Sequence, residues 1–305
     1  MVHRLSFSTS IRVAVLIEVL CLLRPVPSFS GPPIHFKLAE GHWIVVPITI
    51  KGTGPYEFIL DTGSNQSILS PSLITESDGK MISQKRLVTA TGSELVPCFR
   101  VEDFQFGLGR VEYLDVLAQP VPEKIGFHIR GILGQDYLSR FNFILDYKSR
   151  TVNFEENREF SQNLRGMVYT LLESSYRRLV MIPPQSTASR PSLFVLDSAA
   201  ERVILFGNNF IGLGFDLASS GGLEILQTVT GRELLNGGRF RTFRVGETTF
   251  RNMPVTLARP GDLLKHRLEN GLLPTSCFQS IYINNEDKFV AFNPRFENPP
   301  KMDEK

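Results

Sequence analysis

Short apolar runs separated by turn residues recur along most of this chain. "HWIVVPITI", His42 to Ile50, is an apolar run of strand length followed by the turn "KGTGPY", and Phe58 to Leu60 then lead straight into Asp61. "FNFILDYKSRTVNFE" reads as a β-hairpin with its polar tip at Lys148 to Arg150. Farther along the same plan returns: "LVMIPP" as a strand, "QSTASRPS" as a polar loop, Phe194 to Leu196 as the run ending in Asp197, and "SIYINNEDKFVAFN" as a last hairpin. The pattern predicts an all-β fold with short helices.

That return is a repeat in the residues themselves. "FILDTGSNQSILS" from Phe58 matches "FVLDSAAERVILF" from Phe194, setting Asp197 against Asp61 at an offset of 136. "LVTATGSEL" from Leu87 matches "LQTVTGREL" from Leu226 at 139, and "GILGQDYL" from Gly131 matches "GLLPTSCF" from Gly271 at 140. Three collinear matches with slowly drifting offsets mark a tandem duplication. The expected organisation is a leader over residues 1–30, a first lobe over 31–160, a second over 161–296 and a frayed tail over 297–305, with the connection in "REFSQNLRG". Between Phe154 and Phe292 the offset falls to 138, which reads as a hairpin tip two residues shorter in the second copy.

Composition narrows the function. Hydrophobic residues make up 42% of the 305, including 23 Phe, enough for a substantial core. Lys and Arg exceed Asp and Glu by only +2, so no global field gathers nucleic acid or an anionic membrane, and neither is an expected partner. His3, Arg4 and Arg12 precede an apolar run from Val13 to Leu23, and Ser28 and Ser30 suit cleavage after Ser30. The run is shorter than the roughly 20 residues of a spanning helix and contains Glu18, so it reads as a secretory signal and places the protein outside the cell or in the periplasm. After its removal Cys98 and Cys277 remain, either as a disulfide or as two free buried thiols. No CxxC or HExxH spacing is present, so neither a metal nor a cofactor is expected.

Asp61-Thr62-Gly63-Ser64 after an apolar strand, a glycine-bearing hairpin, and then Ile132-Leu133-Gly134 before "QDYLSRFNFILDY" together resemble the aspartic peptidases, especially the retroviral-like type of secreted bacterial proteins. The resemblance covers residues 40 to 295 and implies two β-barrel-like lobes related by a pseudo-two-fold axis. It also implies a polypeptide substrate and a catalytic pair, Asp61 and Asp197, sharing one proton about an attacking water. Thr62 and Ser198 match positions whose hydroxyls bond across the lobes in that family. Gly63 lets backbone approach backbone. Ser64 can donate to Asp61 where Ala200 has no hydroxyl, so an asymmetric pair is expected.

"TATGSEL" and "TVTGREL" read as hairpins with glycine turns, and the resemblance makes them covers over the substrate: Ala90, Thr91 and Gly92 in the first copy, Thr230 and Gly231 in the second. The second copy departs from the pattern at Ala199, opposite Gly63, and at Pro274, opposite Gly134. Three readings stay open. One is a monomer with a single Asp61/Asp197 dyad, the favoured one; another is a homodimer pairing Asp61 with its symmetry mate. The third is a peptide-binding protein that has lost catalysis. Asp136 in "GQDYL" reads as a helix N-cap, and Asp115 and Asp146 as solvated side chains.

Overall fold

The computed structural model describes residues 32–88, 93–121, 127–173, 178–206, 213–228, 231–258 and 268–297, so the leader segment lies outside the described residues. The fold is mostly β, with the short helices Pro71–Glu76, Gln135–Leu138 and Glu159–Asn163. In the first half, strands Trp43–Ile50, Thr53–Leu60, Ile129–Leu133, Ile68–Leu69, Gly109–Ala118 and Ser93–Phe106 neighbour one another in that order. Pairing of Thr49 and Ile50 with Gln105 and Phe104 closes these six into a barrel. Closure leaves no free edge among them.

The second half repeats the order with Arg178–Ile182, Ser192–Asp197, Gly271–Pro274, Val203–Phe206, Thr248–Ala258 and Gly231–Val245. Both aspartate strands run parallel to the glycine-bearing strand, Leu60 level with Leu133 and Leu196 with Leu273. Among the described residues no strand pairing closes this ring. Pro183 and Pro184 follow the first strand of this half, and Pro lacks the N–H that a ladder needs. The Gln185 carboxamide stands in for a peptide unit instead: its Oε1 accepts from Arg244 N at 2.8 Å and its Nε2 donates to Arg244 O at 3.0 Å. Two similar barrels were expected; one is closed, and the second half carries a side-chain clasp at the corresponding seam.

The two halves meet through their last hairpins. Phe143–Asp146 pairs antiparallel with Ser280–Asn284, and Ile144 lies opposite Tyr282, its own counterpart at offset 138. On either side lie Thr151–Phe154 and Phe289–Phe292. Both hairpins have four-residue tips, Tyr147–Arg150 and Asn285–Lys288, so the expected shortening at the tip is wrong. The two missing residues come from the preceding connection, where helix Gln135–Leu138 is replaced by the 3-10 turn Thr275–Cys277. A 3-10 turn spans its length with fewer residues than an α-helical turn.

Alternation along the aspartate strands sets their burial. Phe58 and Leu60 face a core cluster that continues through Phe143 and Leu145 to Phe194 and Leu196, while Ile59 and Val195 face separate clusters on the other side of their sheets. Such strands are buried on both faces, which suits parallel pairing. Gly131 and Gly271 permit the close approach: a Cβ would stand 2.6 Å from Ile68 O at the first and 2.0 Å from Ile204 O at the second. Replacing Gln185 with Ala should lower stability by about 1–2 kcal/mol through loss of both Arg244 bonds, read as a drop in the urea midpoint at unchanged m-value.

Candidate active site

Each aspartate leaves its strand into a tight turn that folds main-chain N–H groups back onto its own carboxylate. Asp61 Oδ1 accepts from Gly63 N at 2.8 Å and Ser64 N at 3.1 Å; Asp197 Oδ1 accepts from Ala199 N at 2.8 Å and Ala200 N at 2.9 Å. Two hydrogen bonds from backbone donors fix each carboxyl group. The expected asymmetry from Ser64 is absent, because its hydroxyl donates to Gln66 O at 2.8 Å and both carboxylates receive the same pair of main-chain donors.

The turns are joined to each other. Thr62 N donates to Ser198 Oγ and Ser198 N to Thr62 Oγ1, both at 3.0 Å. Thr62 Oγ1 in turn donates to Leu196 O at 2.8 Å, and Ser198 Oγ to Leu60 O at 2.7 Å. Each hydroxyl therefore accepts from the opposite backbone and donates to it, in a seam where Thr62 and Ser198 are 2% and 1% exposed. The Asp197 carboxyl lies directly against the first turn: a Cβ on Gly63 would stand 2.6 Å from its Cγ and Oδ2. Only glycine fits there.

Behind the first turn sits a polar group built around Asp136, which was expected as a helix N-cap. Ser67 N and Oγ donate to the Asp136 carboxylate at 2.9 and 2.7 Å, and Gly134 N donates to Ser67 Oγ at 3.0 Å. Asp136 is thus a clasp between the turn and the helix, and the N-cap position belongs to Gly134. At the three equivalent positions of the second half stand Val203, Pro274 and Ser276. Pro274 has no N–H to donate and Val203 no hydroxyl to receive it, so the two losses cancel. Gln135 adds Nε2 to Thr62 O at 2.8 Å, with its Oε1 buried and without a protein partner. From the first half Tyr147 reaches across the seam to the Thr275 hydroxyl; burial first, and the nearby Cys277 and Asp197 after it, push its phenol above the ordinary value. None of these contacts has a local sequence signal.

The hairpins stand beside the turns. Lys80–Val88 pairs with Ser93–Phe106, and Asp216–Thr228 with Gly231–Val245. Ala90, Thr91, Gly92 and Thr230 lie outside the described residues, and Gly231 opens its strand opposite Thr228. At equivalent sites the hairpins touch the turns, Lys85 Nζ to Gln66 Oε1 at 3.0 Å and Arg202 to Glu224 at 3.0 Å. Among the described residues no cluster of His, Cys, Asp and Glu is arranged to hold a metal. Cys98 and Cys277 are free thiols, and burial pushes Cys277 up to about 12. Asp115, expected to be solvated, forms a two-pronged ion pair with Arg100, which lowers its carboxyl below the usual range.

The first half of the chain is similar to the aspartyl protease family. The match to the aspartyl protease family covers residues 46–137, from strand Trp43–Ile50 through the first turn to helix Gln135–Leu138. No curated protein matches the chain.

Two outcomes test the seam and the clasp. Thr62→Val keeps the shape but strands Ser198 N–H and Leu196 C=O, so unfolding by urea should show a loss of about 2–4 kcal/mol. Burial raises the Asp136 carboxyl to about 6, against the hydrogen bonds from Ser67 and Tyr137, while the unfolded chain has the ordinary value of about 4. The native state therefore holds this proton more tightly, and the stability it contributes below pH ~4 is lost as pH rises through about 6. Asp136→Ser should remove that dependence, so that the variant gains on wild type by on the order of 1–3 kcal/mol between pH 4 and pH 7 in thermal or urea unfolding.

Proposed function

We propose that the chain is an aspartic endopeptidase in which Asp61 and Asp197, one from each of two pseudo-two-fold-related lobes, activate a single water against a peptide bond. The observation that carries this reading is the reciprocal Thr62/Ser198 hydrogen bonding, which joins the two aspartate turns within one polypeptide. The family match to residues 46–137 supports the reaction type. Two carboxylates held in such proximity cannot both ionise readily, so one takes a proton from water while its partner protonates the carbonyl oxygen, and their titration belongs to the pair. Thr62, Gly63, Ser64, Ser198 and Ala199 hold the turns, and the hairpins around Ala90–Gly92 and Thr230–Gly231 cover an extended polypeptide.

In this reading the enzyme is a monomer, exported by its leader and acting outside the cell or in the periplasm. Intrachain partners already occupy Thr62 on both its N–H and its hydroxyl, which weighs against a homodimer built from two first lobes. Ala199 in the place of Gly63 favours instead the homodimer or a peptide-binding protein without catalysis.

Hydrolysis of an unfolded protein substrate by the mature chain, followed from acidic to neutral pH, decides among these. Asp61→Asn and Asp197→Asn should each lower kcat by about 10²–10⁴-fold, with elution as a monomer. Full activity in Asp197→Asn would exclude the one-chain dyad, and tight peptide binding without cleavage by wild type would leave the binding reading in its place.

A further inference from the structure

The Thr62/Ser198 bonds hold residues 60, 62, 196 and 198, but they do not reach the residue that departs from the pattern. Ala199 carries a methyl where the first turn has Gly63, and at Gly63 a Cβ would collide with the opposite aspartate at 2.6 Å. The equivalent methyl must be directed away from Asp61 for the second turn to keep its place. Trp43 supplies a means of doing so. Its indole Nε1 donates to Ala199 O at 3.1 Å, across 156 residues of chain. Ala199, Trp43 and Phe127 each pack against the apolar cluster that contains Ile59 and Ile132. In the ladder Val45 faces Ile59, so Trp43, two residues back, stands level with Asp61. A side chain from the strand that pairs with the first aspartate's strand thus grips the turn of the second.

We propose that Trp43 is a positioning residue: by holding the Ala199 carbonyl, it keeps the alanine-bearing turn in the register that Asp197 needs to face Asp61. The catalytic part of this proposal rests on the peptidase reading; the contact itself does not. Trp43 touches no reacting atom and acts only through Ala199. Its role compensates for a substitution, so it is coupled to that substitution: with glycine at 199 the turn no longer needs the indole.

Trp43 is the single tryptophan of the chain, so one indole N–H resonance reports on it. In the full-length mature protein that resonance should be protected from solvent exchange and should move in Asp197→Asn. A freely exchanging indole would overturn the proposal whether or not the protein cleaves peptides. In the cleavage assay, Trp43→Phe keeps an aromatic ring and removes the donor; kcat should fall about tenfold at unchanged KM. In an Ala199→Gly background the same change should cost less than about twofold, the coupling expected of neighbouring residues. A rise in KM at constant kcat would make Trp43 a substrate contact, and an equal loss in both backgrounds would make it merely structural; either result refutes positioning. Wild type that shows the protected indole but no cleavage refutes the peptidase reading while the contact stands.

Discussion

The structure depends on four hydrogen bonds in a buried seam. Thr62 and Ser198 each use one hydroxyl as donor and acceptor at once, and every partner is a main-chain group of the other turn. In a low-dielectric setting such a closed set is strong when complete and costly when broken, because any missing member leaves a buried polar group unpaired. The turns therefore come together as a unit or not at all. The placement of both carboxylates follows from that unit, each carboxylate being tied to N–H groups only two and three residues away.

Around this seam the halves differ in a concerted way. The first half supports its turn with a polar clasp of Ser67, Gly134 N–H and Asp136; the second has an apolar valine, a proline without N–H, and a serine. A buried donor and its acceptor disappear together at little cost, whereas the loss of either alone is expensive. Barrel closure shows the same economy: where prolines forbid a ladder, the Gln185 amide makes the two bonds that a peptide unit makes in the first half.

The halves are also interlocked beyond the turns. Their terminal hairpins pair about Ile144 and Tyr282, Tyr147 crosses to Thr275, and Asn285 Nδ2 crosses the other way to Leu138 O at 3.1 Å. One continuous apolar cluster runs through both. A small rotation of one half against the other would strain all of these at once, which suits the proposed mechanism, in which the spacing of two carboxylates matters.

The sequence by itself determined the β-rich plan, the recurrence of one residue pattern around Asp61 and Asp197, the two aspartate turns, the Thr62/Ser198 correspondence and the positions of the hairpins. Apolar alternation, turn residues and repeat spacing are local signals, each written within a dozen or so residues. Tertiary structure alone decided where the two residues were lost, that Asp136 clasps Ser67, that Gln185 replaces a ladder, and that Trp43 reaches Ala199. Those facts depend on how segments 69, 59 and 156 residues apart are set against each other. No periodicity encodes the reach of a side chain across a seam, because that reach is fixed by the packing of both halves together.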